Sequence, residues 1–261
     1  MATEIRELSP CKKVLLRDYG ELFIQQGEKE SLTVEADASL LNRISTQVQD
    51  EQLIISITGG LWDHFERFFR YGWQYTRVKL TLTVKDLNSL DVIGGGRVHV
   101  SRLNTEQLDI RLGGAGEINF EDLHAQKLTA RLPGAGKIGI SGEVDEQNIS
   151  MSGAGAYIAH RLKSVHANVN LMGIGSVSIW AVESLAASLD GIGSISYYGH
   201  PTVQEDLRGF GKLIAMDTPQ MSDVFPSSSP PSSQASSNYF RENDEEECSP
   251  FFQKAPNRFA A

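Results

Sequence analysis

Seven times along the chain a G-x-G triplet is followed by a short segment whose apolar residues alternate: GGGRVHV from Gly94, GAGEINF from Gly114, GAGKIGI from Gly134, GAGAYIA from Gly153, GIGSVSI from Gly173, GIGSISY from Gly191 and GFGKLIA from Gly209. The intervals are 20, 20, 19, 20, 18 and 18 residues. Copies held in such register restrict the chain to an architecture in which each repeat stacks on its neighbours, a solenoid.

Within a repeat the apolar residues recur with period two, as in Leu108, Ile110 and Leu112 before the glycines and Ile118 and Phe120 after them. That period predicts strands with one buried face. Stretches such as LNTEQ at 103–107 and LHAQK at 123–127 read as corners. A repeat of this length holds two or three short strands with their turns, so the expected fold is all-β: a right-handed β-helix-like solenoid of about seven coils. Leucine-rich repeats have similar length, but their Asn ladder and Leu spacing are missing.

The stacking can be written as columns. One inward column is Val98, Ile118, Ile138, Tyr157, Val177, Ile195 and Leu213; the next is Val100, Phe120, Ile140, Ala159, Ile179, Tyr197 and Ala215. A one-residue slip is expected in the fourth coil, where Tyr157 precedes Ile158. The glycines at the corners (Gly94, Gly96, Gly114, Gly116, Gly134, Gly136, Gly153, Gly155, Gly173, Gly175, Gly191, Gly193, Gly209 and Gly211) are expected to serve positive φ and the close approach of stacked backbones. Between them the middle residue passes from Gly95 through Ala115, Ala135 and Ala154 to Ile174, Ile192 and Phe210. Outward, Arg97, Glu117 and Lys137 place opposite charges on neighbouring coils, and then Ala156, Ser176, Ser194 and Lys212 follow.

Residues 1–217 are expected to form one domain. Its 11–84 part holds alternating segments that read as antiparallel β leading into the G-x-G coils of 85–216, with one helical turn at ASLLNRIST capped by Asp37 or Ser39. An insertion at 60–76 contains WDHFERFFRYGWQY and so seven of the 21 aromatic residues. It reads either as a cover for the solenoid's flank or as a partner-binding surface built on Trp62, Phe65, Phe69, Tyr71 and Trp73. Residues 218–261, Ser/Pro-rich and then acidic, have the composition of a disordered tail.

Charge and cysteine content narrow the function. A net charge of −9 runs against nucleic-acid binding, which needs clustered Lys and Arg. No apolar run reaches the length of a membrane-spanning helix, and no apolar core of a secretory signal is visible at the N-terminus. Cys11 and Cys248, at opposite ends, make neither a disulfide framework nor a Cys-rich zinc site.

Catalytic chemistry finds no constellation. GAGKIG at 134–139 matches the dinucleotide-binding pattern, yet a strand follows it where a helix is required. His64, His99, His124, His160, His166 and His200 show no metal-ligand spacing. Polysaccharide-cleaving β-helices stack Asp, Lys or Arg in matching columns, whereas the columns here are Ser, Ala, Gly or mixed charge; Asp109 and Asp190 are isolated acids. No catalytic, cofactor or metal residue is assigned.

With these residues in place, the chain resembles the bacterial putative autotransporter adhesin head domain, the GIN domain, over 11–216. The resemblance rests on YGELFIQQGEKESLTVEADASLLNRISTQVQDEQLIIS, on LNSLDVIGGGRV and on the G-A-G-x-[IV] coils. It implies an all-β, β-helix-like domain on secreted or surface-attached proteins, with no catalytic residues to carry over. The expectation is a non-catalytic, adhesin-like solenoid offering an extended surface to protein or carbohydrate. The alternative is a cytoplasmic, self-assembling scaffold, a homo-oligomer, and a polysaccharide-cleaving enzyme ranks below both.

Overall fold

Alternating apolar residues bury one face of a strand, and 76% of the described residues are strand. The computed structural model describes residues 2–57 and 78–217. The chain divides into two units, Met1–Val224 and Phe225–Ala261, and every described residue belongs to the first. The 60–76 insertion with Trp62, Phe65, Phe69, Tyr71 and Trp73, and the 218–261 tail, lie outside the described residues.

The elements are β1 (Ala2–Glu7), β2 (Lys13–Leu16), β3 (Glu21–Gln26), β4 (Ser31–Ala36), one helical turn α1 (Ala38–Leu41), β5 (Ile44–Gln49), β6 (Gln52–Ile57), β7 (Lys79–Val84) and β8 (Ser89–Val92). Then come the long strands β9 (Arg97–Leu112), β10 (Ala115–Leu132), β11 (Ala135–Met151), β12 (Ala154–Leu171) and β13 (Ile174–Leu189), followed by β14 (Ile192–Tyr198), β15 (Thr202–Leu207) and β16 (Phe210–Met216). Asp37 occupies the N-cap position of α1, and Leu40 of that turn is buried.

From β9 onward the strands pair in parallel, turn upon turn, in a β-solenoid of about six turns. Each long strand wraps around the core. The part that follows a corner stacks in the order β7, β3, β9, β10, β11, β12, β13, β14, β16. The part that precedes the next corner stacks as β6, β2, β8, β9, β10, β11, β12, β13, β15.

The first inward column holds in register, whereas the second is broken between Ile140 and Ala159, where the β11–β12 register shifts, and ends on half-buried Tyr197 and exposed Ala215. Ile118 faces Val98 and Ile138, Tyr157 faces Ile138 and Val177, and Ile195 faces Val177 and Leu213. Every member from Val98 to Ile195 is buried, and Leu213 in the last turn is partly so. Fully burying such a side chain stabilises by about 1.5–3 kcal/mol. Tyr157 keeps its inward place. The irregularity falls between Gly139 and Ser141 of β11 against β12, where the register shifts.

The N-terminal part adds parallel pairings to the expected antiparallel ones. β1 with β4, β4 with β7 and β5 with β6 run antiparallel, while β2 and β3 run parallel to the solenoid strands. β2 and β3, joined through Gly20, form a turn directly beside β8 and β9. β6 and β7 form the turn beyond it, against β2 and β3. Chain order and stacking order therefore differ here: the later segment stacks outside the earlier one.

Candidate functional site

Two surfaces follow from this stacking, the corner ridge and the side face that precedes it. At the corners hydrogen bonds run from turn to turn, Ala154 N–H to Gly134 O at 3.0 Å and Ile174 N–H to Gly153 O at 2.9 Å. A Cβ on Gly153 would overlap the Gly134 carbonyl. Among the G-x-G glycines positive φ is confined to Gly175 (+154°) and Gly193 (+152°), so close backbone approach is the general reason for glycine there. The middle residues stack in register from Ala115 to Phe210, and Ile174, Ile192 and Phe210 are 60%, 52% and 84% exposed. Together they form an apolar ridge at the C-terminal end.

The side face is formed by the strand portions that lead into the corners of β9, β10, β11, β12, β13 and β15. Three outward rows cross it: Gln107, Lys127, Glu146, His166, Ser184, Thr202; then Asp109, Thr129, Asn148, Asn168, Ala186, Gln204; then Arg111, Arg131, Ser150, Asn170, Ser188, Asp206. Over the first turns these rows are ion-paired. Arg111 lies 3.4 Å from Asp91, Arg131 3.4 Å from Asp109, and Lys127 3.5 Å from Glu146. Asp109, an isolated acid in the sequence, is thus a structural partner of Arg131.

Over the last turns the rows become mostly neutral and uneven in size. β13 contributes Ser184, Ala186 and Ser188, small residues flanked by His166 and Asn168 on β12 and by Thr202 and Gln204 on β15. A cavity of about 480 Å³ results, bordered at its near end by Glu146 and Asn148. Asn148 Nδ2 donates to Glu146 Oε1 at 2.6 Å, and His166 Nδ1 hydrogen-bonds with Ser184 Oγ at 2.8 Å. The bond from Asn148, with the Lys127 ammonium nearby, holds the Glu146 carboxyl below its ordinary value.

Beneath this face the core carries one polar cluster. Gln147 and Ser164 are fully buried. Gln147 Nε2 donates to Ser164 Oγ at 2.6 Å, Ser164 Oγ donates to Trp180 O at 2.8 Å, and Tyr157 Oη donates to Gln147 Oε1 at 3.4 Å. Burial pushes the Tyr157 hydroxyl pKa far up. The cluster pins β11, β12 and β13 under the trough.

Reasoning from the sequence passed over the trough because its residues are ordinary one at a time. Aligning repeats on their glycines would have put His166, Ser184 and Thr202 in one row, but the hollow depends on their relative sizes. Among the described residues no group of three or more His, Cys, Asp or Glu is placed to hold a metal ion. Cys11 is buried, and burial, with Glu30 nearby, pushes its thiol up to about 11.

The family described as putative auto-transporter adhesin, head GIN domain, matches residues 11–201. The chain belongs to that family. Among solved structures, a putative adhesin of Bacteroides fragilis is similar at 25% identity and a TM-score of 0.76, over 82% of this chain and 96% of that one. A putative lipid binding protein of Parabacteroides distasonis (20% identity, TM-score 0.61, 82% and 96% covered) and a putative adhesin of Parabacteroides merdae (17%, 0.60, 82% and 95%) share the fold. No curated protein matches the chain. The GIN-domain match ends before the last two strands, so β15 and β16 extend the trough and the ridge past its boundary.

Proposed function

We propose that this GIN domain is a non-catalytic, adhesin-like module of the cell surface or envelope whose side face contacts carbohydrate or protein. One observation carries the reading: along a single stack of strands, ion pairs close the first turns upon themselves, while the last turns present the Asn168 and Gln204 amides and the Thr202 hydroxyl around a hollow. Amide and hydroxyl groups free to exchange water for a ligand are what a contact surface requires. Family membership and the adhesin relatives agree with it. Nucleic acid is no part of the reading, given the net charge of −9, and no cofactor is assigned. Among the described residues no helix is long and apolar enough to cross a membrane.

The test is binding of the full chain to arrays of immobilised glycans and cell-surface proteins, with polysaccharide turnover followed in parallel. Saturable binding without turnover is the expected result. Turnover of any polysaccharide would remove the word non-catalytic, and absence of saturable binding to either array would remove the contact function. The aromatic segment is proposed as a secondary contact: changing Trp62, Phe65, Phe69, Tyr71 and Trp73 to Ala should weaken binding in a protein that melts normally.

The apolar ridge favours a second reading, self-association. Ile174, Ile192 and Phe210 run into the terminal turn, where no described strand lies beyond β15 and β16, and such edges pair readily with another copy. Light scattering should show a concentration-dependent dimer that Phe210→Ser reduces; a strict monomer at tens of micromolar rejects it.

A further inference from the structure

We propose that the trough over β13 is a subsite for a neutral oligosaccharide, an inference that rests on the adhesin-like reading and names its ligand class. The walls are β12 and β15, two strand spacings or about 10 Å apart. The floor is the Ala186 methyl with Ser184. One extended chain fits a trough of that width, and the floor of small side chains lets a flat ligand approach the sheet.

The chemistry of the walls selects the ligand. Asn168 and Gln204 each present both a donor and an acceptor, as do the His166 imidazole and the Thr202 hydroxyl. Sugar hydroxyls likewise donate and accept, and their C–H faces pack against a methyl floor. Two residues beyond Asn168 on β12, just past the lining of the cavity, Asn170 has a buried Oδ1 with no hydrogen-bond partner among the described residues. This is an acceptor short of a donor in the free protein, and such groups are costly to leave unpaired.

Charge excludes the acidic sugars. Glu146 and Glu183 flank His166, and Asp206 and Glu205 lie on β15, while the nearest cations are engaged: Lys127 with Glu146, and Arg208 with Asp206. A sulfated or uronic-acid chain would meet carboxylates beside cations that are already committed to them. A protein partner is also a poorer match, because protein contacts draw their energy from buried aromatic and Arg anchors and the trough is open along its length rather than an enclosed pocket.

The experiment uses the full chain and purified short oligosaccharides: neutral oligomers of glucose, mannose and N-acetylglucosamine, with oligogalacturonate as the acidic control. At least one neutral series should bind saturably and oligogalacturonate should not. Ala186→Arg, which fills the trough from a solvent-facing position, should weaken that binding by about tenfold or more, and Gln204→Ala by about tenfold, the loss of one to two hydrogen bonds. Lys137→Ala, which removes the ion pair with Glu117 away from the trough, should leave it unchanged. Two variants guard against a folding defect, and melting curves report on each.

Failure of every neutral series to bind overturns the inference, as does binding that survives both Ala186→Arg and Gln204→Ala. If Ala186→Arg abolishes attachment to a protein array while no oligosaccharide competes, the contact function stands and the sugar assignment falls. If oligosaccharide binds in the trough but the protein attaches to no cell surface, the subsite stands and the adhesin reading falls.

Discussion

The two halves of the side face are built from the same strands at the same spacing, and they do opposite things with their outward residues. Around β9 and β10, Arg111, Arg131 and Lys127 each have a carboxylate within 3.5 Å. Around β12, β13 and β15 the same rows hold His166, Ser184 and Thr202, then Asn168, Ala186 and Gln204. The first half stabilises register: stacked opposite charges contribute roughly 0.2–1 kcal/mol per pair and penalise a slipped turn. The second half gives up that term. Its register is held from below instead, by Gln147, Ser164 and the Trp180 carbonyl, which leaves its surface groups to solvent or a ligand. A solenoid permits this division because each turn answers mainly to its neighbours.

The most severe way to break the comparison is at the junction. Gly153→Val places a side chain against the Gly134 carbonyl where β11 turns into β12, and should cost about 3–5 kcal/mol. Thermal unfolding should then split into two transitions, one per half, and a single transition at the wild-type temperature would show that the corner tolerates a side chain.

Next in size is the internal support of the neutral half. Ser164→Ala leaves Gln147 Nε2 and the Trp180 carbonyl with only their long 3.5 Å contact to each other inside the core, a loss of about 1–3 kcal/mol. Urea unfolding should show it, and the effect should exceed that of any single ion-pair deletion in the first half.

Arg131→Ala probes those exposed pairs. The expected loss is about 0.2–1 kcal/mol, shrinking as salt rises. A loss that ignores ionic strength would mean that Arg131 stabilises through packing of its stem rather than its charge.

The smallest effect concerns pH. Glu146 has its pKa lowered in the fold, so its contribution is present above the ordinary carboxylate value of 4.5 and is lost as pH falls through the lowered one. Glu146→Gln should slightly lower the melting temperature at neutral pH and flatten the acid limb of the profile, the two proteins converging at low pH.

Much of the solenoid was legible in the chain. Period-two alternation and the G-x-G interval placed Val98, Ile118, Ile138, Tyr157, Val177 and Ile195 in one column, and all are buried in register. The opposite charges of Glu117 and Lys137 meet as expected, at 3.5 Å. Arg97 is different: it pairs with Glu21 at 3.2 Å, a partner 76 residues distant, because β3 stacks beside β9. The site was far less visible. A hollow is a difference in side-chain volume across three strands, and His166, Ala186 and Gln204 carry no motif.

What spacing and alternation specify is local and repetitive: where a strand faces inward, where a corner must be glycine, and how each turn sits on the last. They do not specify the order in which similar strands stack once the repeat lapses. β3, β6 and β7 share one alternating pattern, and β2 is apolar on both faces, so hydrophobic periodicity is equally satisfied by several pairings. Burial of the whole N-terminal core selects the arrangement in which β6 and β7 lie outside β2 and β3. The trough likewise arises across turns, from the sizes of residues that the fold brings side by side.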